Sequence, residues 1–192
     1  MDIYLVSGNK HKLNEFKTIL EPLGYSVKAI EDVDNEIVED GSTFEENAII
    51  KAKFMSLKHN ITCISDDSGL EVDALNKEPG IYSARYLGHD TSYDYKNSVI
   101  LERVKDKTDR TCRFICVIAL VKNTGEIYTF KGEIEGTVAY SIEGNSGFGY
   151  DPIFYYPPLK TTLASLSDNE KNKVSHRGKA IRKLVKFLEE DK

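Results

Sequence analysis

The sequence predicts a single α/β domain over residues 1–192, built on a mixed β-sheet with two lobes and a cleft between them. Three observations lead to this fold class. Predicted strands and helices alternate as β-α-β-α-β over residues 3–65, as in α/β proteins. A helix, an antiparallel hairpin and a C-terminal helix follow. Because no stretch between them has the composition of a linker, we expect one continuous sheet rather than two separate domains.

The alternating part occupies the first third of the chain. Residues 3–6 form a short apolar run that ends at a turn of small residues, as a strand does. Apolar residues at spacings of three and four predict an amphipathic helix over 10–22, and a second strand follows over 25–30. Thr43-Phe44-Glu45-Glu46 fits a capping box and predicts a helix to about His59.

A third strand is expected over 61–65. The polar segment Asp66-Asp67-Ser68-Gly69 comes directly after it and is expected to end it abruptly. Asp90 or Thr91 is the expected cap of a helix that runs to about Lys107.

The last third predicts a hairpin and two helical segments. Residues 112–122 are apolar on both faces, residues 128–138 alternate, and Asn123-Thr124-Gly125 is expected to join the two strands. Ser167-x-x-Glu170 is a second capping box. Residues 181–188 have the spacing of a final helix, with Gly178 either inside it or marking a break.

Composition excludes several classes of protein. With 26 Lys and Arg against 31 Asp and Glu, the net charge is −5, which disfavours a surface for duplex nucleic acid. Three cysteines without a Cys-x-x-Cys pair indicate reduced, buried thiols. No apolar run reaches the length of a membrane span, and the N-terminus lacks the basic segment of a signal peptide. We therefore expect a cytoplasmic protein with no membrane partner.

Three candidate sites combine anion and cation chemistry. Ser7-Gly8-Asn9-Lys10-His11-Lys12 joins a strand to a helix, where free backbone N–H groups favour an anion; an Asn-capped helix with solvated lysines is the alternative. The carboxylates of Asp66 and Asp67 suit a Mg²⁺ ion, or else belong to an Asx turn. The acidic loop Glu36-x-x-Glu39-Asp40-Gly41 supplies a further ligand, or is simply solvated.

Two more segments have side chains that could contact a nucleobase. In Ser146-Gly147-Phe148-Gly149-Tyr150-Asp151-Pro152, glycines allow a loop to present an aromatic ring for stacking; the alternative is a turn with both rings in the core. Ser175-His176-Arg177-Gly178, with Lys171 before it, offers donors to a carbonyl or phosphate, or is a basic helix surface. Taken together, the five segments contain the parts that a nucleotide phosphohydrolase needs.

Six motifs in this order resemble the inosine triphosphate pyrophosphatase family, over residues 3 to about 188. They are Ser7-Gly8-Asn9-x-x-Lys12, Thr43-Phe44-x-Glu46-Asn47-Ala48, Asp66-Asp67-Ser68-Gly69-Leu70, Pro79-Gly80-Ile81-Tyr82-Ser83-Ala84-Arg85-Tyr86, Gly147-Phe148-Gly149-Tyr150-Asp151-Pro152-Ile153-Phe154 and Ser175-His176-Arg177-Gly178. The resemblance implies a Mg²⁺-dependent cleavage between the α and β phosphates of inosine, deoxyinosine or xanthosine triphosphate. It also implies an elongated mixed sheet flanked by helices, and a homodimer.

The resemblance further implies roles for individual residues. Asp67 is the expected general base and a metal ligand. Glu39 is the expected second metal ligand, with Glu36 and Asp40 competing for that role. The expected substrate contacts are Ser7, Gly8, Asn9, Lys10, His11, Lys12, Lys51, Ser68, Phe148, Gly149, Tyr150, Asp151, Lys171, His176 and Arg177.

Selectivity has an expected physical basis. Donors on His176 or Arg177 would pair with the 6-oxo group of hypoxanthine and would be left unpaired by adenine. Two other functions remain open: a related pyrophosphatase for pyrimidine or modified nucleotides, and a nucleotide sensor without catalysis.

Overall fold

The computed structural model describes residues 2–30 and 37–190, and within them it confirms the predicted α/β fold with a mixed sheet. The strands are β1 (Asp2–Val6), β2 (Ser26–Ile30), β3 (Cys63–Val72), β4 (Thr111–Val121), β5 (Ile127–Val138), β6 (Phe154–Tyr156) and β7 (Thr161–Thr162). The helices are α1 (Lys10–Leu20), α2 (Phe44–His59), α3 (Tyr93–Val104), α4 (Asp168–Val174) and α5 (His176–Glu190). The sheet order is β2-β1-β3-β4-β5-β6-β7. Strand β1 is parallel to both β2 and β3, whereas β6 is antiparallel to both β5 and β7.

Both predicted capping boxes mark the start of a helix, but only one of them is complete. At α2, the hydroxyl of Thr43 accepts a hydrogen bond from the backbone N–H of Glu46 (3.1 Å). The Glu46 carboxylate turns instead to the N–H and hydroxyl of Ser42 (2.6 and 2.7 Å). At α4, Ser167 and Glu170 satisfy each other's backbone N–H groups, so the reciprocal box is formed.

Strand β3 does not end at Ser65, so the expected break at Asp66-Asp67-Ser68-Gly69 is wrong. The strand continues through these residues to Val72. The Asp66 side chain is buried, and it binds cationic side chains rather than its own backbone. Because these cations compensate its charge, the backbone stays extended where an isolated Asp-Asp-Ser-Gly segment would turn.

Helix α3 begins later than expected. Ser92 caps it, not Asp90 or Thr91, and its hydroxyl accepts from the N–H of Tyr95 (3.3 Å). Three residues in a row suit the capping position, so composition alone does not choose among them. The helix also ends before Lys107.

Gly178 lies inside α5, which settles the question left open by the sequence. Helix α5 packs closely on β5 at Gly132. A Cβ added to Gly132 would clash with the carbonyl of His176 and the backbone nitrogen of Ala180. The short strands β6 and β7 were not predicted, because two or three residues are too few to show an alternating pattern.

The chain divides into two compact units. The first comprises Met1–Asp67, Cys116–Gly132 and His176–Lys192, and its main core joins α1 and α5 to the strands through residues such as Leu5, Phe16, Ile118, Ile181 and Leu184. A smaller apolar cluster packs α2 on β1, β3 and β4.

The second unit comprises Ser68–Ile115 and Glu133–Ser175. Its core includes Leu70, Ile100, Ile134, Ile153 and Phe154. All three cysteines are buried free thiols, as predicted. Within the described residues, none of the helices combines the length and apolar character needed to cross a membrane. The single domain over 1–192 stays a prediction.

Candidate active site

The first candidate segment lies at the start of α1. The Asn9 side chain accepts hydrogen bonds from the backbone N–H groups of His11 (2.9 Å) and Lys12 (3.1 Å). The expectation of free N–H groups is therefore wrong for these two residues, because the cap already satisfies them. Gly8, Asn9, Lys10 and His11 are exposed, and Ser7 is half-buried. The Asn9 cap thus occupies two of the amides of this segment, and the exposed side chains remain accessible to an anion.

Asp67 and Glu39 share one cation. Lys51 of α2 donates to Glu39 Oε2 (3.1 Å), and its Nζ lies 3.6 Å from Asp67 Oδ1. The other Asp67 oxygen, Oδ2, is buried without a hydrogen-bond partner in the part of the chain that the structure describes. Of the competing acidic residues, Asp40 is exposed, and Glu36 lies outside the described residues. The structure therefore associates Glu39, and not Asp40, with Asp67.

Burial and the neighbouring charges shift the pKa of Asp67 in opposite directions. Burial raises the pKa of Asp67, and the carboxylates of Glu39 and Asp66 add to this, while Lys51 and Lys12 oppose it without cancelling it. For Lys51, burial lowers the pKa, but Asp67 and Glu39 outweigh it, so the pKa is raised. The result is a fixed ammonium group beside a carboxylate that is more basic than usual.

Asp66, the neighbour of Asp67, belongs to a buried ionic network. Arg177, only 1 % exposed, donates to Asp66 Oδ2 from two of its nitrogens (3.2 and 3.0 Å) and to Glu15 Oε2 (2.5 Å). Lys12 Nζ lies 3.1 Å from the same Asp66 oxygen. Burial alone would raise the pKa of Asp66, but Lys12 and Arg177 outweigh it and hold that pKa well below its usual range. Asp66 is therefore a permanent counterion.

All four residues of the motif Ser175-His176-Arg177-Gly178 are buried. Both His176 and Arg177 are buried, so the alternative of a basic helix surface is wrong. The Arg177 guanidinium is committed to two carboxylates of the same unit. Its two hydrogen bonds to Asp66 hold that carboxylate in place.

The second unit holds the glycine-rich loop. Lys171 and Asp151 are both buried, and the Lys171 ammonium group donates to Asp151 Oδ2 (2.6 Å). The same oxygen accepts from the backbone N–H of Phe148 (2.8 Å), and the Lys171 Nζ lies 4.7 Å from the centroid of the Phe148 ring. Phe148 is half-buried, whereas Tyr150 is part of the core, as the alternative reading predicted for it. Ser68, half-buried, begins this unit.

Three buried polar residues that support these groups were given no role from the sequence, although Asn47 belongs to one of the six motifs. Glu15 pairs with Arg177, as described above. Asn47 of α2 is fully buried and accepts from the N–H of Gly41 (2.9 Å), which anchors the loop that carries Glu39. Asn97 of α3 donates to the carbonyl of Gly149 (3.1 Å). A charged or amide residue on the apolar face of a predicted helix is the signal that would have found them.

Comparisons with known proteins cover nearly the whole chain. The model of the Ham1 family matches residues 3–187. A protein of Exiguobacterium sp. named dITP/XTP pyrophosphatase is 45% identical over 186 residues, which cover 96% of this chain and 95% of that protein. A protein of Staphylococcus aureus strain MW2 with the same name is 46% identical over 193 residues, which cover 100% and 98%.

A solved structure agrees with the fold. The structure of the Staphylococcus aureus Ham1 protein superposes with a TM-score of 0.90 at 45% identity and covers 100% of both chains. The family predicted from the six motifs is confirmed by these matches, and the chain belongs to the Ham1 family.

Proposed function

We propose that this chain hydrolyses the triphosphates of non-standard purines, namely ITP, dITP and XTP, to the nucleoside monophosphate and pyrophosphate. The Ham1 family and the names of the relatives support this substrate class. The observation that carries the proposal is the carboxylate of Asp67. It is buried, it keeps one oxygen without a hydrogen-bond partner among the described residues, and one lysine joins it to Glu39.

Glu39 and Asp67 fit a Mg²⁺ ion. Mg²⁺ in nucleotide enzymes usually takes one or two carboxylates and fills its remaining positions with water and phosphate oxygens. Within residues 2–30 and 37–190, no group of three or more His, Cys, Asp or Glu side chains could hold a metal. The buried Asp67 Oδ2 is a ligand atom of the required kind. When bound, Mg²⁺ polarises phosphate oxygens and lowers the pKa of a bound water.

Asp67 is the proposed base. A water that attacks the α phosphorus must lose a proton, and the Asp67 carboxylate would orient that water and accept the proton. Its raised pKa makes it a stronger base than an exposed aspartate. Lys51 keeps the carboxylate in place at 3.6 Å. Lys10, exposed, and Lys12 would neutralise charge on the leaving pyrophosphate.

The glycine-rich loop is the proposed binding site of the purine ring. Phe148 would stack on the purine, with Lys171 and Asp151 holding its backbone and ring in place. We assign the contact with the 6-oxo group to a donor of His176, because Arg177 is bound to Asp66 and Glu15. A buried donor left unpaired by adenine would reject ATP.

The deciding experiment compares a panel of nucleoside triphosphates with Mg²⁺ and measures pyrophosphate and phosphate release separately. We expect ITP, dITP and XTP to give pyrophosphate far faster than ATP, GTP, CTP or UTP. Asp67→Asn should lower kcat at least about 100-fold, the low end for a general base, whereas the matched change Glu45→Gln at an exposed position of α2 should not.

Other outcomes would identify the alternatives. Faster turnover of pyrimidine or modified triphosphates would indicate the related pyrophosphatase. Tight ITP binding without turnover would indicate a sensor. Asp67→Asn with most of its turnover intact would refute the assignment of the base.

The cellular location and the lack of nucleic-acid binding are proposed from the composition, and the assembly is proposed from the resemblance. We propose a cytoplasmic homodimer of a single two-lobed domain that binds no nucleic acid. Light scattering of the purified protein should then give twice the 21.7 kDa mass of the chain.

A further inference from the structure

Helix α3 buries two polar side chains in succession. Lys96 and Asn97 are each 1 % exposed. Both donate to a backbone carbonyl: Lys96 Nζ to Ala84 (2.7 Å) and Asn97 Nδ2 to Gly149 (3.1 Å). Burying an ammonium or amide group costs free energy unless it is hydrogen-bonded. These bonds satisfy one donor of each side chain, and they tie α3 to two separate loops.

The loop that Asn97 holds also packs on α3 through aromatic side chains. Tyr93 lies one turn before Asn97, and its ring meets the Tyr150 ring edge-on with the centroids 5.2 Å apart. The Tyr150 hydroxyl donates to the carbonyl of Ser83 (2.7 Å), which belongs to the same loop as Ala84. Helix α3 thus supports the residues that follow Phe148.

The other side of Phe148 has its own anchor. Its backbone N–H donates to Asp151, which Lys171 holds in turn. Gly147 and Gly149 flank Phe148 with φ of 74° and 68°, in the left-handed region. Glycine has many alternative conformations, so a residue between two glycines keeps one orientation only if both sides are fixed. Asp151 binds the Phe148 N–H through its carboxylate and the Phe148 carbonyl through its own backbone N–H (3.3 Å), and Asn97 holds the next carbonyl, that of Gly149.

We propose that Asn97 is a positioning residue for base recognition: its amide holds Gly149, and thereby holds the Phe148 ring ready for the purine. The inference rests on the proposed function, since it takes Phe148 as the surface on which the base stacks. Stacking binds more tightly when the ring is ordered before the ligand arrives, because binding then loses less conformational entropy. In this role Asn97 acts through Gly149.

The test removes the donor while keeping the shape of the side chain. Asn97→Leu should raise the KM for ITP about 3- to 10-fold, the range for loss of one hydrogen bond. The kcat should change less than about 2-fold, because binding is lost equally in the ground and transition states. The dissociation constant of IMP, measured by calorimetry, should rise by the same factor as KM. Inhibition by pyrophosphate, which has no base, should not change.

Two controls separate positioning from a general loss of structure. Ile100→Val alters a fully buried residue of the same helix and should leave the KM for ITP unchanged. In a Phe148→Ala background, Asn97→Leu should have almost no further effect on KM, because the ring that it positions is gone. If Asn97→Leu does not fold, Asn97→Ala serves in the same experiments.

Several results would overturn the proposal. If the increases in KM for ITP caused by Asn97→Leu and by Phe148→Ala multiply in the double variant, Asn97 acts elsewhere. Loss of stability or kcat with an unchanged KM would show a purely structural role. Failure of the unaltered chain to hydrolyse ITP would instead contradict the proposed function, so the two failures are distinguishable.

Discussion

The Arg177 network makes a strong prediction about stability. Arg177→Met replaces the guanidinium with an apolar side chain of similar length. It removes three charge-assisted hydrogen bonds, two to Asp66 and one to Glu15. Asp66 keeps Lys12 at 3.1 Å, whereas Glu15 loses its ion pair with Arg177.

The magnitude follows from the burial of the charges that are left. Removing one partner of a buried ion pair typically costs about 3–5 kcal/mol, because the remaining charge is buried without compensation. For a chain of this size, each kcal/mol lowers Tm by about 2–4 °C, so the melting temperature should fall by about 6–20 °C.

Urea unfolding at pH 7, followed by circular dichroism, measures this loss of stability. The control variant combines Arg177→Met with Asp66→Asn and Glu15→Gln, which removes the charges together and should recover much of the stability. A loss below about 1 kcal/mol for Arg177→Met would refute the reasoning. So would a triple variant that is no more stable than the single one.

Three further predictions concern positions outside this network. The pKa of Asp73 lies at about 2, because hydrogen bonds from Arg113 and Lys77 stabilise its carboxylate. The stability that Asp73 contributes is therefore complete above pH about 4 and is lost as pH falls toward 2. In Asp73→Asn, the free energy of unfolding measured with urea should depend less on pH between these values. Gly132→Ala should cost at least about 1–3 kcal/mol, because the new methyl group meets the backbone of α5; an unchanged Tm would contradict the close packing. Burial raises the pKa of Cys63 to about 12, and the other two thiols are equally buried. A disulfide reagent at pH 8 should therefore label the cysteines only after unfolding. Labelling of the native protein within minutes would be inconsistent with this burial.

Local chemistry explains which parts of the fold were predictable. The caps at Thr43 and Ser167 act on N–H groups three residues away, so a short segment contains all the information. The apolar pattern of β4 and β5 is equally local. The end of β3 was not predictable in this way, because the groups that compensate Asp66 come from α1 and α5.

The candidate site shows the same limit. The motifs identified Asp67 and Glu39 by resemblance, and the structure links these two residues through Lys51. The inward position of Arg177 depends on Glu15, which lies 162 residues earlier in the chain and belongs to a different helix. No pattern within one segment records such a pairing.

Because β3 continues through Asp66 and Asp67, their side chains lie on opposite faces of the sheet. In an extended strand, consecutive side chains point to opposite faces. Sequence neighbours are thereby assigned to opposite sides of the sheet: Asp66 as the counterion of Arg177, and Asp67 with the oxygen that has no partner among the described residues. Inserting a single residue just before Asp66 would move Asp66 to the position and face of Asp67, and would leave no carboxylate at the position that pairs with Arg177. Neither aspartate can stand in for the other, although only a peptide bond separates them.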